Sequence, residues 1–289
     1  MKPTYLIVNA DDFGYFDSVS RGIIEAARCG TVTATGILAN SINLERQIEE
    51  LSTLPGLDVG VHLNLTFGRP CSKTLRIQFD QKEGLFPSKF KLIQSLLSRT
   101  IKVSTVKSEW RAQIMRCISF GLEIQFLNSH EHIHMFPPLY NAACELAIEF
   151  NIQHVRYTTA EWGENLLLDG LTRNIIISIL GILTRRHQVS NASMFGLKAS
   201  GKLNLKYLER RLRTLPTGGI YELMCHPGRL DQHETIDPQL KAYHNWDSEC
   251  KLLCSDEFQQ LLEHHNIRLI GFRHLEKIND HIGLANINK

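Results

Sequence analysis

The feature that most restricts how this chain can fold is an alternation of short, β-branched apolar runs with helix-like segments. The runs are Tyr5–Ala10, Val32–Leu38, Leu57–Leu65, Ile124–Asn128, His154–Tyr157, Ile220–Cys225 and Ile267–Phe272. Near-continuous apolar runs of about 4–8 residues suit strands buried on both faces. The segments between most of them read as helices. Ser18–Cys29 stops at Gly30, Thr105–Phe120 at Gly121, and Leu44–Leu54 and Leu205–Leu215 before Pro55 and Pro216. Glycine ends a helix by accepting a left-handed backbone, proline by lacking an N–H. Pro138–Phe150 opens on a proline that suits a first helical turn, and Ser255 can cap Asp256–His265.

Strands separated by helices pair in parallel through right-handed crossovers. The expected class is therefore α/β, with about seven parallel strands in a distorted or incomplete (β/α) barrel, TIM-barrel-like in plan. A doubly wound open sheet is the alternative. The 289 residues fit one domain, 1–289. Two stretches interrupt the alternation, near 68–103 and 161–202, and insertions of that length often serve as lids or binding walls.

Net charge is +2, too near neutral to point to nucleic acid or an anionic membrane surface. The cysteines number seven, an odd count with no CxxC pair, which weighs against a disulfide framework or a structural zinc knuckle. The N-terminal residues lack the apolar core and cleavage site of a signal peptide, so a reducing, cytoplasmic setting is expected. The most apolar stretch, Leu166–Thr184, is interrupted by Asp169 and Arg173, and its clean run Ile175–Leu183 is too short to span a bilayer. It reads as a helix packed on the body. A sharper alternative is a helix near the site entrance that meets a lipid-linked substrate or a partner subunit, which leaves a homodimer open.

Polar residues cluster at the ends of the apolar runs. Asp11 and Asp12 follow the first, His62 lies late in the third, His130, His132 and His134 follow the fourth, Arg156 lies late in the fifth, and His226 follows the sixth. In a parallel barrel these strand ends open on one face, where such folds build their sites. Successive strand residues point to opposite sides, so one of the two aspartates can grip a metal while the other faces water. If 129–134 is extended, its three histidines share a face and Glu131 points away. One metal ligand with one or two substrate-facing imidazoles is then the better reading, because the outer two are far apart. Asp12, His62 and His130 would supply three ligands to a divalent ion and leave positions open. His226 precedes Pro-Gly. It is either a turn histidine or a general acid, since imidazole titrates near neutral pH.

At these residues the chain resembles the YdjC-like carbohydrate deacetylases. The shared motifs are Asn9-Ala-Asp-Asp-Phe-Gly, Gly60-Val-His-Leu-Asn-Leu-Thr, Ser129-His-Glu-His-Ile-His-Met-Phe-Pro and Leu223-Met-Cys-His-Pro-Gly. Ala242-Tyr-His-Asn-Trp looks closer to the hopanoid-associated branch of that family. The resemblance implies a distorted barrel and hydrolysis of an N-acetyl group on a sugar or glycolipid. It implies one divalent ion, Zn²⁺ or Mg²⁺, on Asp12, His62 and His130, a base at Asp11 and an acid at His226. His132, His134 and Arg156 are then candidates to hold the substrate. Two positions depart from the chitooligosaccharide enzymes: Asn128 stands where they carry aspartate, and Glu131 where they carry histidine. The rival readings are a metal hydrolase of another amide or phosphoester, and a sugar-binding barrel without catalysis.

Overall fold

The computed structural model describes residues 2–79, 84–162, 168–184 and 192–282. Within them lie eight strands: β1 (Thr4–Phe13), β2 (Ala34–Ile37), β3 (Asp58–Leu63), β4 (Ile124–Ser129), β5 (His154–Val155), β6 (Ser193–Phe195), β7 (Ile220–Cys225) and β8 (Ile267–Leu269). The helices up to the middle of the chain are α1 (Asp17–Arg28), α2 (Leu44–Leu51), α3 (Lys73–Gln78), α4 (Lys89–Leu97), α5 (Val103–Ser119) and α6 (Pro137–Glu149). After them come α7 (Leu168–Thr184), α8 (Leu205–Thr214), α9 (Pro238–Tyr243), α10 (Trp246–Leu253), α11 (Asp256–His264) and α12 (Leu275–Ile282).

Every strand pairing is parallel, in the order β5-β4-β3-β2-β1-β7-β6, with β8 beside the first half of β1. β5 and β6 stand at the two ends of this path, so the sheet curls as an incomplete barrel. All seven expected runs contain a strand. The eighth, β6, lies inside the stretch expected to be an insertion; of that stretch, 163–167 and 185–191 are outside the described residues, as are 80–83 of the earlier one.

The pleat sorts the side chains by layer. Leu6, Val8 and Ala10 of β1 point outward into the main core beneath the helices. Ile7 and its neighbours Ala34, Phe126, Ile220, Phe272 and Leu275 form a separate apolar cluster that plugs the barrel interior. Phe126 and Phe272 stack there with ring centroids 4.3 Å apart. Gly60 makes room for that plug, since a Cβ would stand 2.6 Å from the Phe126 ring. One pleat above the plug the same inward face turns polar, with Asn9 and Asp11 on β1, His62 on β3, Asn128 on β4 and Glu222 on β7, all buried. Gly36 of β2 admits that layer, because a Cβ there would lie 2.9 Å from Asn128 Oδ1.

α7 packs Ile177 inward and leaves Ile175, Ile176, Ile179, Ile182 and Leu183 exposed. No helix among the described residues is long and apolar enough to cross a membrane. Cys29 and Cys254, which end α1 and α10, are joined by a disulfide, a pairing that the cysteine count and spacing did not suggest.

Candidate active site

Asp11 and Asp12 occupy the end of β1 rather than a turn after it. Two adjacent strand residues would normally face opposite ways. Here the register of β1 against β2 slips between Ala10 and Phe13, and Asp12 takes a left-handed backbone with φ 70°. The slip swings Asp12 round, and both carboxylates reach one cavity. A left-handed non-glycine residue costs about 1–3 kcal/mol, and such strain concentrates at functional sites.

Asp12 Oδ1 lies 2.7 Å from His130 Nδ1 and 3.1 Å from His62 Nε2. Donor atoms of the three residues all lie within 4.8 Å of one another. Asn128 decides how His62 is protonated. Its Nδ2 donates to Asp11 Oδ1 at 2.9 Å, so its Oδ1 accepts from His62 Nδ1 at 2.7 Å. The imidazole proton is thereby held on Nδ1, and Nε2 presents a lone pair toward the Asp12 carboxylate. Two electron-rich atoms in that position suit a cation between them. The surrounding charge agrees. Asp11, Asp12 and Glu222 are buried carboxylates, and Arg156 is the guanidinium that pairs with two of them. The formal excess is negative, and a buried excess calls for a counter-charge. The donor set therefore fits a borderline divalent ion.

Burial alone would raise the Asp11 carboxyl, but Arg156 and the nearby histidines hold it below its usual range. Burial likewise opposes charge on Asp12, and His130 overcomes it, keeping Asp12 ionised. For His130 burial lowers the pKa, yet Asp12 more than offsets this and raises it. Asp11 is held on both oxygens. Arg156 Nη1 donates to Oδ2 at 2.5 Å and Nη2 to Oδ1 at 2.9 Å. Arg156 also donates to Glu222 Oε1, through Nε at 2.8 Å and Nη2 at 2.6 Å.

His226 directly follows β7 and lines the same cavity. Its backbone N–H donates to Glu249 Oε2 of α10 at 2.7 Å, and its buried Nδ1 has no partner. His244 lies beside it, with ring centroids 5.1 Å apart, and stacks on Trp246.

The segment after β4 is not extended. His130–Met135 forms a 3₁₀ turn in which Glu131 and His132 both have φ 55°. The three histidines therefore diverge. His130 and His132 line the cavity, and Glu131, expected to point away, reaches its rim and accepts from Lys89 Nζ at 2.9 Å. His134 is fully buried behind the cavity. Its Nδ1 pairs with Ser129 Oγ and its Nε2 donates to the Arg156 carbonyl, so no ring nitrogen is left for a substrate. Arg156 too lies behind the wall, wholly engaged by Asp11 and Glu222. These two are supports of the site rather than substrate contacts. Sequence reasoning gave no role to Glu222 and Glu249, and it noted Asn128 only as a departure from aspartate. The available signal was Asn9 and Glu222, polar residues inside otherwise apolar strands.

The cavity has a volume of about 880 Å³, and its outer wall is apolar, with Phe90 and Ile93 of α4 facing Ile176 and Leu180 of α7.

A carbohydrate deacetylase of Clostridium beijerinckii is 31% identical over 270 residues, covering 93% of this chain and 98% of that one. One from Oceanobacillus iheyensis is 29% identical over 268 residues, covering 89% and 98%. The crystal structure of a candidate cellobiose-phosphate cleavage protein from Enterococcus faecalis V583 shares the fold. It superposes with a TM-score of 0.73 at 24% identity, over 95% of this chain and 99% of that one. The model of the YdjC-like protein family matches residues 5–264, and on that match this chain belongs to the YdjC-like family.

Proposed function

We propose that this protein is a metal-dependent hydrolase that removes the acetyl group from an N-acetylated sugar, free or lipid-linked. The observation that carries the reading is the meeting of Asp12, His62 and His130 at one point of the cavity wall, with Asp11 and His226 facing the same space. Relatives named carbohydrate deacetylases, matched over nearly their whole length, support it. A divalent cation, Zn²⁺ or Mg²⁺, held by the three residues supplies Lewis-acid polarisation of the acetyl carbonyl and eases deprotonation of water.

The chain's own groups do the rest. Asp11 is ionised and accepts the proton of the attacking water. Its Oδ1 already takes two donors, from Asn128 and Arg156, whereas Oδ2 takes one and keeps a lone pair free. Oδ2 is thus the proton-accepting atom. Arg156 cannot swing away, because Glu222 holds its other edge. Water oxygen bonds to the acetyl carbon, the C–N bond breaks, and His226 gives a proton to the departing amine. Acetate and an amino sugar result. His132 and the Lys89–Glu131 pair are placed to meet sugar hydroxyls. Tyr243 and His244, from the Ala242–Trp246 stretch that resembles the hopanoid-associated branch, line the same cavity. The apolar wall formed by α4 and α7 suits a substrate with an apolar aglycone.

The experiment is acetate release from a panel of N-acetylated sugars and glycolipids, by wild type and by Asp11→Asn. Wild type should yield acetate and free amine in equal amounts. Asp11→Asn should bind metal normally and lose about 10²–10⁴-fold of turnover. Phosphate release from phosphoesters in place of acetate, or sugar binding with no product, would replace this reading with a rival one.

A further inference from the structure

A second cluster of metal-ligating side chains lies outside the cavity, along the seam between α1 and α10. Glu25 and Cys29 are four residues apart at the end of α1, and Cys250 and Cys254 are four apart at the end of α10. Side chains at that spacing share a helical face, and the two faces meet. A Glu25 carboxylate oxygen, Cys250 Sγ and Cys254 Sγ lie within 4.8 Å of one another. Cys29 reaches the same point, since it is bonded to Cys254 with the Cα atoms 5.4 Å apart.

We propose that Cys29, Cys250 and Cys254, with Glu25 beside them, form a thiolate site for a soft divalent cation of the zinc class, filled when the Cys29–Cys254 bond is reduced. The oxidised and metal-bound forms are then alternative states of one cluster. A dithiol reductant gives two electrons and two protons to the Cys29–Cys254 bond and is itself oxidised to a disulfide; two thiols result. Binding of the cation by the three sulfurs releases three thiol protons. In the oxidised state only Cys250 and Glu25, the latter already paired with Arg229, are left to bind, too few to retain the ion.

The donor chemistry sets this site apart from the cavity. Three thiolates select zinc-class ions over Mg²⁺, which prefers oxygen. Cys29, Cys254 and Glu25 are half-buried and open to an entering ion, while Cys250 is fully buried. Burial pushes the Cys250 thiol up to about 11, with Arg229 opposing; a coordinated cation reverses that cost by deprotonating the thiol outright. Arg229 bridges Glu25 to Asp247 and places a positive charge beside a cluster that would carry net negative charge with its ion. The site does not depend on the reading of the cavity, and its consequence is local: α10 also carries Glu249, which holds His226.

Cobalt(II) titration of the full chain, reduced and oxidised, tests the proposal. Thiolate ligands give cobalt an intense near-ultraviolet charge-transfer band that aspartate and histidine cannot give, so the cavity does not contribute. The reduced protein should show the band at one equivalent, and zinc should bleach it. Oxidised protein should lack it. Cys250→Ser should weaken the band by roughly a third and Cys254→Ser by at least as much, following the loss of soft ligands. Absence of the band in reduced wild-type protein overturns the proposal. So does a band unchanged by both substitutions, which would place the thiolates elsewhere. Acetate release by the same samples reports on the cavity separately.

Discussion

At the scale of single residues, the site works through polar side chains with more than one partner. Asn128 is the clearest case. It ties Asp11, the proposed proton acceptor, to His62, a proposed ligand, and fixes the tautomer of the latter. An aspartate at this position would set a second carboxylate 2.9 Å from Asp11, whereas the amide donates to it. Asn128→Leu removes both bonds at similar volume, and it should lower metal affinity or turnover about 10–100-fold. Affinity measured by competition with a chelator, alongside kcat, reads this out; a variant matching wild type in both would show that His62 needs no such partner. Residue type alone revealed much of this layer. That Asp11, Asp12, His62, His130 and His226 would gather at one cavity was legible because carboxylates and imidazoles at strand ends have few structural uses. His134 was misplaced because alternation along an extended strand was assumed, and two consecutive left-handed residues, Glu131 and His132, cancel it. Nothing in the sequence around Arg156 tells a substrate clamp from a buried support; its two carboxylate partners come from strands far away in the chain.

At the scale of elements, Arg156 joins the end of β5 to β1 and β7 through Asp11 and Glu222. The pairing is fully buried, so removing the cation leaves two uncompensated carboxylates. Arg156→Met should cost about 3–5 kcal/mol of stability. Urea unfolding is the check, and a loss under about 1 kcal/mol, the range of exposed pairs, would mean that the network is not sealed from water. The double substitution Arg156→Met with Glu222→Gln should recover part of that loss, since one stranded charge is then gone. The slip at the end of β1 belongs to this scale as well. It brings two neighbouring aspartates to one cavity, and no local sequence rule announces a bulge without glycine.

At the scale of the whole molecule, the alternation of apolar runs with capped helices was enough to favour parallel pairing and an incomplete barrel over an open sheet, while the strand order came only with the structure. The three-residue β6 escaped because, unlike the comparably short β5 and β8, it lies within a stretch without alternation that reads as an insertion. Buried histidines outside the site give the fold a distinct response to acid. His154 packs against Phe272 with ring centroids 4.8 Å apart, and burial brings it down to about 4; His134 falls to about 3. Each stays neutral in the folded protein while the unfolded chain takes up a proton below about 6.5. Their contribution is therefore complete above that pH and is lost progressively as pH falls toward the folded values. His154→Phe removes one such proton site, so the stability lost between pH 7 and 5 should shrink by about 2 kcal/mol relative to wild type. Urea midpoints at the two pH values test this, with metal chelated in both; equal losses would mean that His154 takes up its proton in the fold as readily as in the unfolded chain.

The most direct measurement is acetate release from an N-acetylated sugar after chelation and after return of a divalent ion, for wild type and His130→Ala. Wild-type activity should vanish on chelation and come back with the ion, while His130→Ala should remain inactive and recover little metal. Undiminished acetate release from wild-type protein shown by elemental analysis to be metal-free would contradict the assignment of Asp12, His62 and His130 as the ligands of a catalytic cation.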